Sequence, residues 1–221
     1  VFNRNTLLIL MAALAAGLGL WAAQVALKPR APAIDPASLA APAAAPEQMR
    51  AVRLFSTPRP LPAFTLEQSD GTPLTPDELL GRWSIVFLGF THCPDICPTT
   101  LSELAQAQAL WAGMDAARRP RVLFVSVDPE RDSPAKTGEY AAYFHADTLA
   151  ATATEPGLQS FANSLGMVYM KVETEAGDYT IDHSTALVLI DPQGRQAGLI
   201  RPPFVPSDIA ADLIALAEQA P

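Results

Sequence analysis

Two cysteines in 221 residues are too few for a scaffold built on disulfides. Cys93 and Cys97 also stand too close together for a bridge between them to close a loop of much entropic value. Glycine is sparse, with 12 residues at no fixed period, and no longer repeat recurs, so a collagen-like chain and a solenoid are both excluded. Acidic residues are missing from the first 30 positions. All 23 lie beyond them, where they face only 12 of the 15 basic residues. A surface that acidic repels nucleic acid, and no nucleic-acid partner is expected. What the chain does have is 49% hydrophobic residues and 21 prolines, enough for one ordinary domain with an extended attachment.

The attachment comes first. After a short segment over residues 1–5, the stretch Thr6–Leu27 carries no charge. As a helix rising 1.5 Å per residue it would extend about 33 Å, enough to span a bilayer. Trp21 sits where an interfacial aromatic belongs, and the run exceeds the apolar part of a cleavable signal, so residues 6–27 are expected to form one transmembrane anchor. Arg4 on one side and Lys28 and Arg30 on the other leave its orientation open. Eight prolines between Lys28 and Pro62, interleaved with alanine, favour solvated polyproline II over a core and predict a tether across residues 28–60.

Residues 61–221 alternate strand and helix signals. Phe64–Leu66 and Pro73–Leu74 flank a Ser69-Asp70-Gly71 turn and predict an opening hairpin. Trp83–Phe90 and Val122–Val127 are nearly unbroken apolar runs joined by a helical stretch that carries Leu101, Leu104, Gln108 and Trp111. This is the pattern of a βαβ unit with a parallel strand pair. Ser133-Pro134 reads as the N-cap and first residue of another helix. Thr185–Ile190 and Ala197–Ile200 are joined by Asp191-Pro192-Gln193-Gly194, a β-turn sequence, and a final helix starts near Ser207. The expected class is α/β, a thioredoxin-like layer sandwich with an N-terminal β-hairpin, preceded by one transmembrane helix.

The sharpest local signal is Phe90-Thr91-His92-Cys93-Pro94-Asp95-Ile96-Cys97-Pro98, between the end of an apolar strand and the start of a helix, where open α/β sheets bind ligands. The amino end of a helix favours thiolate over thiol. Three intervening residues put both sulfurs on one side of a helical turn. Two thiolates suit Cu(I), or zinc in a larger set, and an added imidazole fits either metal as well as Cu(II). Three histidines are available. His92 reads as a residue that shapes the motif, and His145 has no assigned role. His183, just before an apolar strand, reaches the cysteine edge if that strand runs antiparallel to Trp83–Phe90. Asp182, its neighbour in the chain, is a candidate for orienting His183, and the run Asp128–Asp132 is expected to serve as a loop and cap.

Three segments in order, Leu88–Pro98, Ser126–Asp132 and Tyr179–Ser184, resemble the SCO/SenC copper proteins of cytochrome c oxidase assembly, and the likeness extends over roughly residues 60 to 218. The resemblance implies a thioredoxin-like fold and copper, as Cu(I) or Cu(II), held by Cys93, Cys97 and His183. It implies delivery to the binuclear copper site of cytochrome c oxidase subunit II and supply by an upstream copper donor protein. It also implies a single-pass protein of the inner membrane with its domain in the periplasm or intermembrane space. One departure is Ala151-Thr152-Ala153-Thr154, where that family commonly has a glycine-containing turn. Two alternatives use the same residues: a thiol–disulfide oxidoreductase in which Cys93 and Cys97 form the redox-active pair, and a redox or copper sensor.

Overall fold

The computed structural model describes residues 49–174 and 177–219, with isolated positions before them. The chain divides into two units, Val1–Glu47 and Gln48–Pro221. In the first, the described positions Leu8, Met11, Leu14, Leu18 and Trp21 are helical with exposed side chains. The continuous anchor expected over 6–27 and the tether up to residue 48 lie outside the described residues. Among the described residues no helix is long and apolar enough to cross a membrane.

The second unit is an α/β sandwich. Its strands are β1 (Val52–Pro60), β2 (Leu66–Gln68), β3 (Pro73–Leu74), β4 (Ser84–Gly89), β5 (Arg121–Ser126), β6 (Leu149–Thr152), β7 (Tyr169–Glu173), β8 (Tyr179–His183), β9 (Leu187–Ile190) and β10 (Arg195–Ile200). Its helices are α1 (Ile96–Leu110), α2 (Pro134–Phe144), α3 (Gly157–Ser164) and α4 (Pro206–Gln219). Eight strands make one sheet in the order β1-β10-β9-β4-β5-β6-β2-β3, while β7 and β8 form a separate ribbon.

The apolar runs occupy the centre, where both faces must be covered. Every residue of β4 and β9, and all of β5 except Arg121, is buried. The βαβ expectation holds: β4 and β5 are parallel, with Gly89 opposite Ser126. β9 runs antiparallel to β4, with Val188 opposite Val86. Helix α1 packs against α4, and α2 lies along β6 and β2. At the start of α2 the Ser133 hydroxyl accepts the Lys136 N–H at 3.2 Å, with Pro134 as the first helical residue. The expected turn after β9 closes with Gly194 at φ 74°, a conformation that suits glycine.

Three readings need correction. The tether does not extend to residue 60, because Val52–Pro60 is an edge strand paired with β10. Proline is tolerated at an edge, where a missing N–H breaks no internal ladder. Two further devices fix this strand. Asp212 on α4 accepts the N–H groups of Arg50, Ala51 and Val52 at 3.1, 2.8 and 2.9 Å. Gly198 leaves room for the Arg53 carbonyl, which would stand 2.6 Å from a Cβ at that position. Secondly, the opening hairpin has its second strand where expected, at Pro73–Leu74, but its first strand two residues late, at Leu66–Gln68, and it follows β1 instead of leading the domain. Lastly, Ala151 and Thr152 are no loop: they pair with Gln68 and Glu67. The ribbon β7–β8 carries no long apolar run that a sequence reading could recognise.

Candidate metal centre

The cysteine motif begins where β4 ends. The Cys93 N–H donates to the Phe90 carbonyl at 3.3 Å, which folds the chain back into a tight turn before α1. Asp95, the residue preceding α1, makes no side-chain cap. Its place is taken by sulfur, because the Cys97 N–H, an unpaired donor of the first helical turn, points at Cys93 Sγ at 3.4 Å. Both cysteines are free thiols, Cys93 half-buried and Cys97 fully buried.

Room for the Cys97 sulfur comes from Gly89. A Cβ at that position would stand 2.8 Å from Cys97 Sγ and 2.9 Å from the Phe124 ring. A lone glycine inside an apolar strand signals such a close approach, and it is the site residue that the motif reading passed over.

His183 ends β8 and Tyr169 of β7 lies opposite it. Because β9 runs antiparallel to β4, His183 arrives at the edge from which the cysteine loop leaves. Its Nε2 lies 3.6 Å from Cys97 Sγ. Its Nδ1 lies 3.0 Å from the Ser184 carbonyl. A carbonyl only accepts, so Nδ1 carries the proton and Nε2 presents its lone pair to the sulfur. The orienting group is therefore the backbone of Ser184 and not the Asp182 carboxylate, because Asp182 is exposed on the ribbon opposite Met170. Phe87 and Phe90 enclose the imidazole, each with its ring centroid 6.1 Å away. Burial lowers the His183 pKa, against the opposing effects of the Ser184 hydrogen bond and the Asp182 charge, which favours the neutral ligand form.

Cys97 departs from the expected thiolate. Burial drives its pKa strongly upward, a hydrogen bond with the Phe90 backbone opposes this, and neighbouring Cys93 and Asp132 add to the rise. Desolvation outweighs the helix end here. The buried thiol thus keeps its proton and is placed to donate a hydrogen bond to His183 Nε2. A proton and a soft cation compete for the same place between sulfur and nitrogen.

Among the described residues no three His, Cys, Asp or Glu side chains form a ready-made cage for an ion. What is in place is a two-point contact with the Cys93 sulfur one backbone hydrogen bond away. The separation suits a shared ion. With metal–sulfur and metal–nitrogen bonds of about 2.3 and 2.0 Å, ligands at about 110–120° lie about 3.6 Å apart.

The Asp128–Asp132 run does the loop work expected of it. Asp132 is wholly buried and accepts the Thr91 N–H at 2.7 Å, the Thr91 hydroxyl and the Ser126 hydroxyl at 2.7 Å. This clamps the residue two positions before Cys93. Asp128 accepts from the Tyr179 hydroxyl at 2.9 Å and pairs with Arg131. His92 engages the loop, with Nδ1 3.6 Å from Asp132 and Nε2 3.5 Å from Lys136, in keeping with a shaping role. His145 caps the end of α2 and accepts the Asp147 N–H.

The chain is similar to known proteins in sequence and in fold. A mitochondrial SCO1 homolog 1 of Arabidopsis thaliana is 40% identical over 133 residues, 59% of this chain and 39% of that one. The chain thus spans well under half of that relative. The crystal structure of Arabidopsis thaliana ScoI with copper bound superposes with a TM-score of 0.67 at 32% identity, covering 72% of this chain and 99% of that one. BsSco, a member of the Sco family of cytochrome c oxidase assembly proteins in which a disulfide switch was identified, shares the fold with a TM-score of 0.57 at 23% identity, over 75% of this chain and 99% of that one. Residues 56–218, from β1 through nearly all of α4, match the family model described as SCO1/SenC. With the cysteine loop, the antiparallel return of β9 and the matched length all in agreement, the chain belongs to the SCO1/SenC family.

Proposed function

We propose that this protein is a copper chaperone that holds one copper through Cys93, Cys97 and His183 and delivers it to the binuclear copper site of cytochrome c oxidase subunit II. The observation that carries the reading is the 3.6 Å approach of His183 Nε2 to Cys97 Sγ, because two soft sulfurs and a neutral imidazole are a donor set for copper. Copper is cargo here. Half-exposed Cys93 is the ligand an incoming partner thiolate reaches first, so release begins there by ligand exchange. Residues 6–27 anchor the protein in the inner membrane, the following segment tethers the domain on the periplasmic or intermembrane-space side, and an upstream donor protein supplies the metal.

The test is anaerobic Cu(I) titration of the reduced protein against a competing chelator, followed by transfer to the copper domain of subunit II. One copper bound and passed on, with Cys93→Ala and Cys97→Ala unable to hold it, is the expected result. Binding unchanged by both substitutions would sink the proposal.

A second reading, thiol–disulfide exchange, draws on one observation: a half-exposed Cys93 stands in front of a buried Cys97, as an attacking thiol stands before a resolving one. Reduction of a partner disulfide that survives both His183→Ala and copper chelation would favour it.

A further inference from the structure

We propose that the Asp128–Asp132 loop is a brace that sets the distance between the two halves of the metal centre, with Arg131 and Tyr179 as the positioning residues that dock the ribbon carrying His183. The proposal rests on the copper reading above.

The ribbon needs such a device because β7 and β8 share no ladder with the eight-stranded sheet. Side chains must hold it instead. Tyr179, Ile181 and His183 are alternate residues of β8 and so share one face. Ile181 is buried in the core, whereas Asp182 beside it is exposed. At the far end of that face Tyr179 is gripped three ways. The Arg131 guanidinium lies over its ring at 3.7 Å and donates from Nη1 to its carbonyl at 3.0 Å. Asp128, paired with Arg131, accepts its hydroxyl at 2.9 Å. Lys171 of β7 also lies over the ring at 3.8 Å and pairs with Glu130, but that pair is exposed and contributes little.

The same five residues hold the cysteines. Asp132 accepts the Thr91 N–H at 2.7 Å. Backbone bonds from Arg131 and Asp132 to the Asp128 carbonyl, at 3.1 and 2.9 Å, close the loop into one turn. The cysteine turn and the ribbon are thus fastened to neighbouring side chains of a single short brace. Arg131 also stands near the centre itself, with its guanidinium 5.9 Å from the centroid of the Phe90 ring that packs at right angles to His183. At about 3.3 Å per residue, His183 lies about 13 Å along β8 from Tyr179. Freeing the Tyr179 end would let the ribbon swing about Ile181 and carry Nε2 off its 3.6 Å approach to Cys97 Sγ. A binding constellation tolerates only about 0.5 Å of such displacement. Lysine could not replace Arg131, because a point charge cannot stack on the ring while reaching both the carbonyl and Asp128.

The experiment uses the full chain, unmutated and as Arg131→Gln, Tyr179→Phe and, as control, Glu130→Gln, whose ion pair is exposed. In the metal-free protein, amide hydrogen exchange is followed in β7 and β8 and, for comparison, in residues 91–97. Cu(I) affinity is then measured against a competing chelator, with each substitution made also in a His183→Ala background. Arg131→Gln speeds exchange in the ribbon about tenfold while residues 91–97 hold, and weakens Cu(I) binding about tenfold. Tyr179→Phe keeps the stacked ring and loses one hydroxyl bond, so it shows both effects at about threefold and decides the matter if Arg131→Gln does not fold. Glu130→Gln leaves both unchanged. With His183 already removed, Arg131→Gln costs no further affinity, because it acts through that residue. Ribbon exchange or Cu(I) affinity indifferent to Arg131→Gln and Tyr179→Phe overturns this proposal alone. So does an affinity loss that is undiminished in the His183→Ala background or equally large for Glu130→Gln, which would mark a general loosening of the fold. An unmutated chain that binds no copper overturns the copper reading and this one with it.

Discussion

His183 Nε2 and Cys97 Sγ lie 3.6 Å apart although 86 positions separate the two residues in the chain. The sheet makes that contact: β9 returns antiparallel beside β4, so the residue before one strand meets the residues after the other. If His183 is a ligand, His183→Ala should weaken Cu(I) binding by more than about a hundredfold, beyond the ten- to hundredfold cost of losing a supporting partner. Competition with a chelator measures it. A loss below tenfold would demote His183 to a bystander.

Metal must displace a proton at this contact. Burial raises the Cys97 pKa, so the thiol is protonated at neutral pH and Cu(I) affinity should climb about tenfold per pH unit for each proton released. The same shift acts on the metal-free fold. A group whose folded pKa lies above its unfolded value contributes stability at low pH and loses it as pH rises past the unfolded pKa, about 8.5 for cysteine. Urea denaturation from pH 7 to 10 should show falling stability, and Cys97→Ala should flatten that slope. A slope unaltered by the substitution would assign the pH effect to other groups.

Gly89 is required for its lack of a side chain. Gly89→Ala would press a methyl group against Cys97 Sγ and Phe124, destabilising the domain by about 1–3 kcal/mol. It should also push the sulfur off its line to His183. Both effects are measurable, as a lower denaturation midpoint and as weaker copper binding. Full binding with unaltered stability would contradict the geometry.

Asp132 holds the cysteine loop from beneath. Burial tends to raise its pKa, but hydrogen bonds from Thr91 and Ser126, with Lys136 nearby, prevail and hold the carboxyl below its ordinary value. Its stabilisation is therefore present above about pH 3.9 and lost as pH falls through the lower folded value. Asp132→Ala leaves the Thr91 N–H and Ser126 hydroxyl unpaired and should cost about 2–4 kcal/mol near neutrality. The deficit relative to the unmutated protein should shrink on acidification. A deficit constant between pH 3 and 7 would rule out the ionised carboxylate as the active form.

Much of the architecture is written in local pattern. Trp83–Phe90 and Val122–Val127 are apolar at nearly every position, which only a strand covered on both faces requires, and they became β4 and β5. Ser133-Pro134 and Asp191–Gly194 carry cap and turn chemistry that acts within a few residues, so each is legible without knowing the partner. Residues 52–60 are different. Their prolines read as tether, and only pairing with β10, with Asp212 capping the strand entry from the far end of the chain, turns them into a strand. Ribbon β7–β8 likewise depends on its two strands finding each other.

The sequence by itself determined the sulfur pair, its place between an apolar strand and a helix, and the small set of histidines that could join it. These rest on residue chemistry and on periodicities of a few residues. Tertiary structure decided which histidine arrives, since only the antiparallel placement of β9 brings His183 to Cys97. It also decided the protonation of the site, because burial of Cys97 by strands and helices remote in sequence overrode the helix end that would have favoured thiolate.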